Sequence, residues 1–123
     1  MDTNKKILII EDEEIISNLL VKKISQQGFE VKVACNGQEG LDLMKADKPD
    51  LVLTDIIMPQ KDGFSVIEDM KKTESLKDVP VIIISNSGQP VELDRAKALG
   101  VCDWIIKTEF DPSEILNKIK KAL

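Results

Sequence analysis

Histidine and tyrosine are absent from these 123 residues, and the only aromatic rings are one tryptophan and three phenylalanines. Without histidine, no metal ion can be held by imidazole and no imidazole can move a proton. With so few rings the core must be aliphatic. The two cysteines, Cys35 and Cys102, have no metal-ligand spacing and are read as reduced, packed small residues. No apolar stretch approaches the roughly 20 residues that cross a bilayer, and residues 1–6 lack an apolar leader. A cytoplasmic protein without membrane insertion is therefore expected. A net charge of -5 and a pI near 4.8 argue against a clustered basic face, so direct nucleic-acid binding is not expected.

What the chain does have is repetition of one pattern. Four apolar runs end on residues able to bind a metal or a phosphate: Ile7 to Ile10 before Glu11-Asp12-Glu13-Glu14, Leu51 to Thr54 before Asp55, Val81 to Ile84 before Ser85, and Trp104 to Ile106 before Lys107. Such runs, alternating with longer helical patterns, read as buried parallel strands. A further strand fits Glu30 to Ala34, where Val31 and Val33 alternate with polar residues.

Between the strands, apolar residues at 15, 16, 19, 20 and 24 predict a helix over 14–26, with Gly28 as its stop. Asn36, with Glu39 three residues on, predicts a capped second helix running to Ala46. Phe64, Ile67 and Met70 mark a third, and a fourth fits Pro90 to Leu99 with Gly100 as its stop. Asp111 as cap, Pro112 at the first turn and Glu114 completing a capping box predict the fifth. Parallel strands need right-handed crossovers, so the expected fold is α/β: a flavodoxin-like, doubly wound, five-stranded parallel sheet of order 2-1-3-4-5 with five helices, in one domain over residues 1–123. Strands two and five are then the edges, with the two cysteines beside them. Strands one and three are neighbours, which brings Glu11, Asp12 and Asp55 together where ligands bind in such sheets.

Carboxylates a few ångströms apart repel by about 4 kcal/mol per pair at an effective dielectric near 20, so a counter-ion is required. Hard oxygen ligands suit Mg²⁺, which takes one or two carboxylates together with phosphate oxygens and water. Beside it, Asp55 can act as a carboxylate nucleophile toward phosphorus. Ser85 and Lys107, from neighbouring strand ends, can hold the phosphoryl oxygens.

The stretches ILIIEDEE, LVLTDIIMPQKDG, VPVIIISNSG and ALGVCDWIIK resemble the receiver domain of two-component response regulators over essentially the whole chain. The size is close to that of single-domain chemotaxis regulators (CheY-like). The resemblance implies a phosphorelay protein taking a phosphoryl group onto Asp55 from a sensor histidine kinase or phosphotransfer protein, then switching a surface of the fourth helix, fifth strand and fifth helix toward an output protein. It implies direct Mg²⁺ ligation by Asp12, Asp55 and the backbone carbonyl of Ile57, with Glu11 acting through water. Ser85 is implied as the switch hydroxyl, Lys107 as the phosphate-binding lysine and Trp104 as the aromatic switch residue. No separate substrate is turned over, so the chain is not expected to be an enzyme beyond transfer to and from its own Asp55.

Four positions depart from the family's habit: Thr108 stands where proline usually follows the lysine, Asn86 where a small residue is common, and Trp104 where a smaller ring is usual. Ile57, beside the phosphoryl position, cannot orient an attacking water, so slow self-dephosphorylation is expected.

Three rivals remain at this point. A flavodoxin needs a Ser/Thr/Gly-rich loop where Glu11-Asp12-Glu13-Glu14 stands, and an aspartyl phosphohydrolase resembles D-x-D, with a second acid where Ile57 stands. A receiver-like binding module that is never phosphorylated stays open.

Overall fold

In a computed structural model, which describes residues 5–58, 60–86, 88–107 and 111–123, the apolar runs form the strands of one parallel sheet. The strands are β1 (Lys6–Ile10), β2 (Glu30–Ala34), β3 (Leu51–Thr54), β4 (Val81–Ser85) and β5 (Asp103–Ile106). They alternate with α1 (Glu14–Ser25), α2 (Gly37–Ala46), α3 (Gly63–Lys72), α4 (Pro90–Ala98) and α5 (Pro112–Ala122). The order is β2-β1-β3-β4-β5, as expected from the alternation.

Side chains of a strand point to alternate faces, and the core divides accordingly. Leu8, Ile10, Val52, Val81 and Ile83 face one layer with Leu41, Met44, Phe64, Ile67 and Met70. Ile7, Ile9, Leu51, Leu53, Ile82 and Ile84 face the other with Leu20, Ile24, Ile115 and Ile119. Each such fully buried aliphatic chain contributes about 1.5–3 kcal/mol of transfer free energy. β1, β3 and β4 are covered on both faces, which is why they read as unbroken apolar runs. β2, at an edge, exposes Glu30 and Lys32.

Helix starts follow the caps. Asn36 accepts from the Glu39 amide at 2.8 Å and Asp62 from the Ser65 amide at 2.8 Å. Asp111 differs from the expected box: it accepts from the Ser113 amide at 2.9 Å, while Glu114 lies 3.9 Å from Lys118, a helical turn onward. Gly28 and Gly100 take positive φ beyond their helix ends, as expected of stops.

Two expectations about packing are corrected. Ile15 is 84% exposed and Leu19 also reaches solvent, because the buried face of α1 runs through Ser17, Leu20 and Ile24 instead. Cys35 and Cys102 lie beside opposite edge strands as expected, but both are exposed rather than packed. Cys35 follows the end of β2 and Cys102 precedes β5, outside the strands themselves. Thr108 falls outside the described residues. No helix among the described residues is long and apolar enough to cross a membrane.

Candidate functional site

β1 and β3 pair in register up to Ile10↔Thr54, so the next residue on each, Glu11 and Asp55, leaves the sheet at the same edge. Main-chain bonds continue past the strands and fix both acids: the Glu11 amide donates to the Ala34 carbonyl at 3.0 Å, and the Asp55 amide to the Ile10 carbonyl at 3.0 Å. On the other side, Ser85 pairs with Ile106, and the Lys107 amide donates to the Ser85 carbonyl at 2.7 Å. Four residues with chemistry are thus anchored through backbone, not through loops.

Their side chains meet around one ammonium. Lys107 Nζ lies 2.6 Å from Glu11 Oε1, 2.8 Å from Asp55 Oδ2 and 3.1 Å from Glu13 Oε1. Asp55 Oδ1 accepts from the Ile56 amide at 2.7 Å. Glu11, Asp55, Ser85 and Lys107 are buried, while Asp12 is exposed at the mouth. Glu11, Asp12 and Asp55 each offer one oxygen, and these lie within 4.8 Å of one another.

Burial pushes the Glu11 carboxyl up to about 7, against the pull of the Lys107 ammonium and with reinforcement from Asp55. Burial alone would lower the Lys107 ammonium, but Asp55 and Glu11 hold it above its ordinary range. Counting Glu11, Asp12, Glu13 and Asp55 as ionised against Lys107 leaves a formal charge of about -3, which one lysine does not neutralise. Among the described residues neither Glu11 oxygen accepts a hydrogen bond: Oε1 has only the 2.6 Å ion pair with Lys107, and Oε2 has no donor. A buried acceptor without a partner is costly. A divalent cation fits this donor set, since all its ligands are hard oxygens, and ligands at opposite corners of a Mg²⁺ octahedron sit roughly 4 Å apart.

Of the remaining sequence candidates, Ser85 ends β4 next to the Asp55 strand, and Ile57 is 77% exposed two residues beyond Asp55. Trp104 of β5 pairs with Ile83 of β4 and packs against the core layer under α4, its buried indole N–H without a hydrogen-bond partner among the described residues. It stands apart from the Lys107 cluster, on the side of the sheet edge that α4 covers.

Three contributors were not singled out from the sequence. Glu13 was read only as part of an acidic helix start, yet its carboxylate reaches Lys107. The Thr54 hydroxyl donates to the Asp55 carbonyl at 2.9 Å. Gly63 lets the start of α3 lie against Asp55, for a methyl group there would overlap the Asp55 carbonyl oxygen. The Asp62-Gly63 pair was the signal for this close approach: a cap followed by the one residue without a Cβ.

Comparison with known proteins gives a consistent picture. The response regulator receiver domain family matches residues 7–120. The protein named "Probable transcriptional regulator ycf27" of Guillardia theta is 33% identical over 123 residues, which is all of this chain and 47% of that protein. The alkaline phosphatase synthesis transcriptional regulatory protein PhoP of Bacillus subtilis (strain 168) is 30% identical over 98% of this chain and 49% of its own length. The chain therefore spans about half the length of the curated relatives it matches. The solved structure of the chemotaxis response regulator CheY4 of Vibrio cholerae superposes with a TM-score of 0.91 at 25% identity, covering 98% of this chain and 100% of that one.

Proposed function

The chain belongs to the response regulator receiver domain family of two-component systems, and on that premise we propose that residues 1–123 act as one phospho-accepting unit with Asp55 as the acceptor. The observation that carries the reading is the meeting of Glu11, Asp12 and Asp55 within 4.8 Å beside a buried lysine at 2.8 Å from Asp55.

In this reading Asp12, Asp55 and the Ile57 carbonyl, with Glu11 acting through water, would hold Mg²⁺, which when bound would neutralise the acids and supply positive charge for phosphoryl oxygens. An Asp55 carboxylate oxygen attacks phosphorus. A P–O bond forms, the bond from phosphorus to the donor nitrogen of a histidine breaks, and the donor leaves with that electron pair and a proton. The donor is a sensor histidine kinase or a phosphotransfer protein. Lys107 donates to one phosphoryl oxygen and the Ser85 hydroxyl to another.

The added group carries about -1.5 to -2 charge. Drawing Ser85 toward it disturbs the end of β4, against which Trp104 and α4 pack. The output is a shift in population between two packings of the α4, β5 and α5 surface, limited by how differently the phosphoryl group interacts with each.

Incubation with Mg²⁺ and acetyl phosphate, read by intact mass, tests this. A single phosphoryl adduct is expected on the native chain and none on Asp55→Asn. An adduct that persists in the variant would remove Asp55 from the role, and no adduct on either protein would favour a binding module that is never phosphorylated.

A further inference from the structure

Three carboxylates stand within 3.1 Å of Lys107 Nζ, and Glu13 and Asp55 accept hydrogen bonds from it. To reach a phosphoryl oxygen, the ammonium must draw away from at least one of the three. Glu11 and Asp55 are buried and tied to strand ends, whereas the Glu13 side chain is 52% exposed. An exposed carboxylate regains water when it lets go, so Glu13 is the partner released at least cost. Glu13 also stands outside the group of acids able to share a cation. It occupies the cap position of α1 in extended backbone, where an acid would ordinarily accept from the first turn, yet it caps nothing and reaches to Lys107 instead.

Resting on the reading of Asp55 as acceptor, we propose that Glu13 is a positioning residue that restrains Lys107, and that the cognate phosphodonor presents a cationic side chain which pairs with Glu13 and frees the lysine. The same carboxylate repels a donor that arrives as an anion alone. Glu13 thereby selects for a protein donor with a lysine or arginine beside its phosphorylated group, and against free acyl phosphates.

Two small donors separate these charges. In transfer from acetyl phosphate the bond from phosphorus to the acyl oxygen breaks and acetate leaves, so the donor brings only negative charge. In transfer from phosphoramidate the bond from phosphorus to nitrogen breaks and ammonia leaves, and the protonated nitrogen supplies a cation. With Mg²⁺ present, Glu13→Gln is expected to speed adduct formation from acetyl phosphate by roughly two- to five-fold, the range for a half-exposed ion pair. It is expected to give no gain with phosphoramidate. Glu14→Gln removes the same charge one residue away and is expected to leave both rates within about 1.5-fold of the native chain. Mg²⁺ affinity measured by calorimetry is expected to change less than about three-fold in Glu13→Gln, because the residue lies outside the ligand set.

Equal acceleration by Glu13→Gln and Glu14→Gln, acceleration with both donors, or no acceleration overturns the proposal while leaving Asp55 as acceptor. A ten-fold loss of Mg²⁺ affinity overturns it by making Glu13 a metal ligand. Absence of any adduct overturns the parent reading and this one together.

Discussion

At the C-terminal edge of the sheet one lysine faces several carboxylates; toward the N-terminal edge one carboxylate faces two lysines. Asp47 lies 2.7 Å from Lys6 Nζ and 2.9 Å from Lys32 Nζ, and the Lys6 amide donates to Asp50 at 2.7 Å. The side chains of Lys6, Lys32 and Asp47 are about a third to a half exposed. The Lys107 cluster uses the same two functional groups, but it is buried and its charge is out of balance. With Asp50 counted beside Asp47, the two lysines are matched, and such a solvated cluster has no need of a further ion and serves to tie β1, β2 and the end of α2 together. A buried cluster with excess negative charge is poised to take up a cation and then an anion. Burial and stoichiometry, rather than the presence of lysine and aspartate, distinguish a site from a fastening.

The largest effect is expected when the buried edge loses its lysine. Lys107→Met keeps the volume but leaves Glu11 and Asp55 buried without their counter-charge, and loss of one partner of a buried pair costs about 3–5 kcal/mol. Urea unfolding at neutral pH is expected to show that loss, partly recovered by Mg²⁺. A change below about 1 kcal/mol would mean that the cluster is more solvated than its burial indicates.

The two edges are also expected to respond to pH with opposite sign. Burial, opposed by Lys107 and helped by Asp55, raises the Glu11 pKa from near 4.5 to about 7. The folded state then holds the proton more tightly than the unfolded state. Glu11's contribution is therefore complete below about 4.5 and is lost as pH rises to about 7. Asp47 is held below the ordinary carboxylate range by Lys6 and Lys32, so its contribution is present at neutral pH and is lost as pH falls through that depressed value. Mg²⁺ requires the ionised form of Glu11, so its binding should release a proton and tighten as pH rises toward 7, then level off. At ten times its dissociation constant it should add about 1.4 kcal/mol of stability. Calorimetry in two buffers of different ionisation enthalpy measures the proton release; none at pH 6 would place Glu11 outside the metal's reach.

The fold and the acidic pocket were readable because they rest on backbone periodicity. Apolar runs of four or five residues fixed where strands end, and the crossover rule placed the ends of β1 and β3 together, so Glu11, Asp12 and Asp55 followed from topology alone. Lys107 was readable as a resident of the same edge, but not as the counter-ion of three carboxylates, because which rotamer a lysine adopts depends on tertiary neighbours. Glu13 was hidden for the same reason: an acid before a helix usually caps it. The exposure of Ile15 was hidden because two overlapping helical stripes in α1 are both apolar, and only packing against the sheet decides between them. The opposite edge was not foreseen at all, since Lys6, Lys32 and Asp47 are separated in sequence and share no motif.

The smallest effect is expected from Asp47→Asn. Exposed ion pairs are screened beyond about 8 Å at physiological ionic strength, and their net worth is small because water solvates the separated charges nearly as well. The variant should show only a slight fall in melting temperature, larger at low salt than at high. The acid limb of its stability curve should also flatten, because the depressed carboxylate that drives that limb is gone. Lys32 and Lys6 lose one partner each, but both ammoniums keep their water, unlike Glu11 and Asp55 when Lys107 is removed. If Asp47→Asn proved as costly as Lys107→Met, or insensitive to salt, exposure would not be what separates the two edges, and charge excess alone would have to set the buried one apart.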